Sequence, residues 1–200
     1  VAFGNLNEMR AAMSDKTAAI LVEPIQGEGG INPASTAYLQ SLRDIADEFN
    51  TLLIFDEVQC GMGRSGKLFA YETANVTPDI MGLAKGIGGG FPVGAVLATE
   101  KAASGMVPGT HGSTYGGNPL AMAAANAVLD VMLEKDFLAS VVKKGTKLKN
   151  DLVSLVEKHS AVLESVRGVG LMLGIKSVGP NLELMAAFRE NKLLTVVAGE

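Results

Sequence analysis

The sequence predicts an α/β fold, a mostly parallel sheet with helices on both faces. Two observations carry that expectation. Short apolar runs of strand length alternate with longer segments of helical period, as they do where buried parallel strands are joined by helical crossovers. At 200 residues and 48% hydrophobic, the chain also has the material for a sizeable core.

The elements follow in order. "AAILVE", closing on Glu23, reads as the first strand. "STAYLQSLRDIADEF" places Tyr38, Leu39, Leu42, Ile45, Ala46 and Phe49 on one stripe, with Ser35 as its cap, and so predicts an amphipathic helix. "TLLIFDE" is the next strand. "DIMGLAK" and "GAVLAT" are two more, separated by the glycines at 86, 88, 89 and 90 and by Pro92. From Pro119 the texture changes. "LAMAAANAVLDVMLEK" and "FLASVVKKGTKLKNDLVSLVEKH" are helical, with only Lys135 and Asp136 standing out near their junction. "ESVRGVGLMLGI" is strand-like, "NLELMAAFRENK" helical and "LLTVV" again a strand. The expected organisation is a large domain over residues 1–134, then a linking helix and the start of a smaller α+β domain over 135–200. The first and last residues read as cut edges of something longer.

Charge and cysteine content narrow the function classes. Seventeen basic against twenty-one acidic residues leave a net charge of -4, with no footprint for nucleic acid or an anionic membrane, which favours small-molecule partners. The single cysteine, Cys60, cannot form an internal disulfide and is expected to be a small buried residue. No apolar run approaches the roughly 20 residues of a membrane span and no leader pattern opens the chain, so a cytoplasmic location is expected.

"GMGRSGKL" (residues 61–68) has the glycine spacing of a nucleotide loop, but the chemistry around it is wrong. A P-loop needs Ser or Thr after Lys67 to hold magnesium, and Leu68 stands there. A dinucleotide loop needs an acid closing a second strand about 20 residues on, and that strand closes on Lys85. A glycine-rich turn beside a site built from other residues is the better reading.

In open α/β sheets the site lies beyond the carboxyl ends of the strands, which here end on Glu23, Asp56 and Lys85. A lysine among glycines can be partly desolvated, which lowers its pKa and frees its amine to attack a carbonyl. The commonest protein use of that chemistry is to tether pyridoxal phosphate, whose ring nitrogen needs an acid beside it to stay protonated; Asp56 can serve. "HGSTYGGNP" (111–119) offers Ser113, Thr114 and backbone N–H groups to a phosphate. His111 and His159 are expected at the surface.

"LVEPIQGEGG", "LLIFDEVQCGMGRSG", "GLAKGIGGGFPVGAV" and "HGSTYGGNP" together strongly resemble the subgroup III aminotransferases, pyridoxal-phosphate enzymes of fold type I, in the family's own order over nearly the whole chain. The resemblance implies that Lys85 carries the cofactor as a Schiff base, Asp56 pairs with the ring nitrogen, Val58 packs on the ring and Gln59 hydrogen-bonds its phenolic oxygen. It implies that Ser113 and Thr114 reach the phosphate of a neighbouring subunit, hence a homodimer. Glu28 matches an acid that pairs with a substrate-binding arginine and swings away for the second substrate, and Glu23 another acid near the substrate. That arginine, an upstream phosphate loop and an aromatic for the other ring face belong to segments outside this sequence. The expected reaction moves an amino group from N-acetylornithine to 2-oxoglutarate, in arginine biosynthesis. Ornithine, succinylornithine or 4-aminobutyrate as donor, and a noncatalytic fragment, are the alternatives.

Overall fold

The computed structural model describes residues 1–199. A helix α1 (Leu6–Ala12) leads to β1 (Ala19–Val22). A short ribbon of β2 (Ile25–Gln26) and β3 (Asn32–Pro33) precedes α2 (Thr36–Glu48). Then come β4 (Leu52–Asp56), β5 (Ile80–Leu83) and β6 (Ala95–Ala98). The central sheet runs β1-β4-β5-β6, with the first three parallel and β6 antiparallel at the edge.

Register explains the core. Ile20 lies opposite Leu53, and Val22 opposite Phe55, which in turn faces Met81, so one face of the sheet carries a row of large apolar side chains. On that row α2 lays Tyr38, Leu39, Leu42, Ile45 and Ala46, all buried. Burying each large side chain stabilises the fold by about 1.5–3 kcal/mol. Ser35 starts the helix as expected, its hydroxyl accepting the Tyr38 N–H at 3.1 Å. Phe49, which the periodicity put on the buried stripe, is the C-cap and is 37% exposed, because the helix has already ended at Glu48. On the opposite sheet face Leu21 and Val96 are 68% and 74% exposed.

The second half begins with α3 (Glu100–Ala103), then α4 (Pro119–Met132), capped by Asn118, and α5 (Phe137–Lys158). The α4 residue Ala125 packs beneath Met81, Leu83 and Ile87, on the same side of the sheet as α2. The stretch "ESVRGVGLMLGI" was expected as one strand-like run. It folds instead as a hairpin, β7 (Leu163–Val169) against β8 (Met172–Ser177), because Gly170 at φ +60 reverses the chain. Helix α6 (Asn181–Glu190) follows. The expected strand "LLTVV" does not form. Leu194 and Val196 are 84% and 87% exposed, and no strand among the described residues lies beside them to take their hydrogen bonds. Between β4 and β5 the stretch "KLFAYETA" holds one 3-10 turn at Ala70–Thr73.

Candidate active site

The residues closing the three parallel strands emerge at one edge of the sheet. Glu23 follows β1, Asp56 ends β4, and Lys85 stands two residues past β5. Asp56 is the register partner of Gly82, and a Cβ placed on Gly82 would meet nothing within 4 Å. The sheet surface beside the Asp56 carboxylate is therefore bare. One of its oxygens, Oδ1, accepts the Val58 N–H at 3.0 Å, which turns the chain after the strand. The other has no protein donor among the described residues.

Lys85 is exposed and sits at φ +48, in the left-handed region, a backbone strain of about 1–2 kcal/mol for a residue with a side chain. The 3-10 turn Lys85–Gly88 holds it there, anchored by buried Ile87 against Ala125 of α4. Among the described residues no acid pairs with its amine. With Gln59, Met62, Arg64 and Met172 it lines a cleft of about 260 Å³. Glu23 and Asp56 line a separate, larger cavity of about 500 Å³ between β1 and α1.

The turn Gly27–Gly30 joins these features. Gln59 Nε2 donates to Glu28 Oε1 at 3.1 Å, and the Gly27 N–H donates to Glu23 Oε2 at 2.9 Å. A Cβ on Gly27 would fall on the end of the Gln59 side chain and displace it from this position. Val58 is half-buried beside Gln59. Ser113 and Thr114 stand apart. Both are exposed in the segment between α3 and α4, where the Ser113 hydroxyl accepts the Gly116 N–H at 2.8 Å, and the structure does not bring them to the other candidates.

Two buried groups shape the loop after β4. Cys60 is fully buried, as expected, and burial pushes its thiol up to about 12, so it is no nucleophile. Glu57 is a site-shaping residue that the sequence does not single out. It is 0% exposed, and its two carboxylate oxygens accept the N–H groups of Ala70 and Tyr71 at 2.6 and 2.8 Å. Burial pushes it up to about 7, against those two hydrogen bonds, which favour the ionised form. Its only sequence signal was a carboxylate directly after the acid that ends a strand.

"GMGRSG" serves packing. Gly66, at φ +93, lies against Val142 of α5, and the Arg64 carbonyl accepts the Leu171 N–H of the hairpin turn at 2.9 Å. Lys67 points to solvent. Among the described residues no cluster of acids, histidines or cysteines could hold a metal, and no helix is long and apolar enough to cross a membrane.

Comparison with known proteins shows the family. Acetylornithine aminotransferase 1 of Bradyrhizobium diazoefficiens is 56% identical over 200 residues, covering 100% of this chain and 49% of its own length. Two solved structures superpose closely. Ornithine aminotransferase from Plasmodium yoelii does so with a TM-score of 0.92 at 36% identity, over 99% of this chain and 54% of its own. N-acetylornithine aminotransferase from Stenotrophomonas maltophilia gives 0.89 at 37% identity, over 100% and 53%. The chain spans about half the length of the curated relatives it matches. The family described as aminotransferase class-III matches residues 2–200. With that match across the same strand ends that carry Glu23, Asp56 and Lys85, the chain belongs to the class-III aminotransferases.

Proposed function

We propose that this chain supplies the cofactor-binding part of a pyridoxal-phosphate-dependent aminotransferase that takes the amino group of N-acetylornithine and gives it to 2-oxoglutarate. Family membership supports the cofactor, and the relatives at more than 50% identity support the donor. The observation that carries the reading is the bare sheet surface at Gly82, flanked by an Asp56 oxygen without a protein donor and, three residues on, by an unpaired lysine in a strained backbone. An acid with a free oxygen and an amine that no acid pairs among the described residues are the donor set that a cationic ring carrying an aldehyde calls for.

When bound, pyridoxal phosphate supplies a protonated aromatic ring that draws electrons from the substrate carbon. Asp56 would hold the proton on the ring nitrogen, since a carboxylate within about 4 Å of a cation favours the charged form of both. Lys85 would hold the group through its Nζ and, when free, would be the base and acid that moves a proton at the reacting carbons. Val58 would pack on the ring and Gln59, whose Nε2 now donates to Glu28, would hydrogen-bond its phenolic oxygen. Glu23 and Glu28 face the substrate. The exposure of Ser113 and Thr114, away from the other candidates, supports a role toward the phosphate in a second copy, and so a homodimer.

Borohydride reduction of the cofactor-loaded protein, followed by peptide mass mapping, tests the assignment. The expected result is the cofactor's mass on the Lys85 peptide and loss of the visible absorption band. A reduced protein carrying the cofactor on another lysine overturns the site, and a protein that takes up no cofactor favours the noncatalytic fragment.

A further inference from the structure

The turn that carries Glu28 is held from outside the sheet. Arg167, on β7, donates from Nη1 to Asn32 Oδ1 at 2.9 Å, across 135 residues of sequence. Asn32, on β3, passes the contact on: its Nδ2 donates to the Gly29 carbonyl at 2.7 Å and to Gln26 Oε1 at 3.3 Å. The same guanidinium stands 3.7 Å from the Cβ position of Gly30. The turn between these contacts presents the Glu28 carboxylate to Gln59 at 3.1 Å. Further packing fixes the same joint, because Ile31 lies where a side chain on Gly174 of β8 would be, and the Gly199 N–H donates to the Glu28 carbonyl at 2.6 Å.

We infer that Arg167 is a positioning residue: through Asn32 it fixes the Gly27–Gly30 turn, and thereby sets how the Glu28 carboxylate meets Gln59 and an incoming substrate. A guanidinium suits the task because its planar fork reaches the side-chain oxygen of Asn32 in one orientation and leaves the Asn32 amide free to grip the turn. Glu28 has no second side-chain partner among the hydrogen bonds of the described residues. Its orientation depends on the backbone beneath it, and that backbone is tied to the hairpin. A substrate that recruits Glu28 and one that needs it displaced respond oppositely to a looser turn, so Arg167 governs selectivity between the two half-reactions rather than their common chemistry.

The inference rests on the proposed role of Glu28, and the experiment separates the two. Arg167→Met, Arg167→Lys, Glu28→Gln and the double variant Arg167→Met with Glu28→Gln are made in the full cofactor-loaded enzyme. For each, kcat/KM is measured separately for the amino donor and the 2-oxo acid, and amide hydrogen exchange is followed over residues 27–31. Arg167→Met is expected to speed exchange in that turn at least tenfold and to change the ratio of the two kcat/KM values by about tenfold, a coupling of ordinary size for a residue acting at one remove. Arg167→Lys restores part of both. In the Glu28→Gln background the ratio no longer responds to Arg167→Met, because the group that it positions is gone. Equal loss in both half-reactions, or an effect that persists undiminished in the Glu28→Gln background, overturns the positioning role. A Glu28→Gln variant with unaltered kinetics overturns instead the reading of Glu28 on which it stands. Should Arg167→Met fail to fold, Asn32→Ala cuts the same link from the other side and carries the same expectations.

Discussion

Glu57 gives the sharpest test of the physical account. Its carboxylate is wholly buried beside the candidate site, with its pKa raised from 4.5 to about 7 chiefly by loss of solvent, in spite of the Ala70 and Tyr71 N–H groups. The sign follows from proton counting. Between pH 4.5 and about 7 the folded chain holds a proton that the unfolded chain has released, so stability falls as pH rises through that window and is level, as far as Glu57 is concerned, above it. At about 1.4 kcal/mol for each pH step, the fall amounts to about 3 kcal/mol. Glu57→Gln removes the titration, but turns an amide NH2 toward one of the two backbone donors, a cost of about 1–3 kcal/mol. The variant is therefore expected to be less stable than the parent at pH 5 and close to it at pH 8. Urea unfolding of the cofactor-free protein, followed by far-UV circular dichroism at several pH values, reads the difference, and every other titrating group cancels between the two proteins. Parallel stability curves for parent and variant from pH 5 to 8 would refute the reasoning.

Other outcomes follow from the same geometry. Gly170→Ala places a side chain at φ +60 and within 2.5 Å of the Arg64 carbonyl, and should cost about 3 kcal/mol, seen as a melting temperature lower by roughly 6–12 °C. Asp79 accepts the Leu53 N–H at 2.8 Å and the Arg43 guanidinium at 2.7 Å. Burial alone would raise its pKa, but those donors outweigh burial and hold it below the usual carboxylate range. Its contribution is therefore complete above about pH 4 and is lost as acid titrates it, while Asp79→Ala should cost about 2–3 kcal/mol at neutral pH by urea titration. Lys85→Ala removes an exposed, unpaired amine and no core volume, so the melting temperature of the cofactor-free protein should move by less than about 2 °C while covalent retention of the cofactor disappears from the mass spectrum.

What the sequence revealed of the fold depended on whether an element's signal was local. Strands β1, β4 and β5 and helix α2 carry their period within themselves, because a side chain buried against a fixed neighbour repeats at the step of its own backbone. The β7–β8 hairpin did not read as one. Its turn is Gly170–Leu171, and an apolar residue at a turn keeps the hydrophobic run unbroken where Asn-Gly would have punctuated it. "LLTVV" shows the reverse failure, since strand composition expresses a fit to a pleated surface and cannot supply the neighbouring strand that makes one.

The candidate site divides along the same line. Asp56 and Lys85 stand out as candidates because chemistry is concentrated in them, an acid and an amine at strand ends, where an open sheet puts its ligands, whereas Gln59 enters only through the family resemblance. Glu57 and the Arg167–Asn32 link are illegible for a physical reason. A buried carboxylate is defined by which N–H groups fold onto it, here from a turn thirteen residues away, and a guanidinium holding an asparagine 135 residues distant leaves no periodicity at either end. Such contacts exist only after the chain has closed, yet they set the backbone on which the legible residues stand. A transplanted set of Asp56, Gln59, Lys85, Glu23 and Glu28, placed on a parallel sheet without an equivalent of Glu57 and Arg167, would thus present the proposed groups on a turn free to move, and a displacement of about 1 Å is enough to cost about a hundredfold in rate.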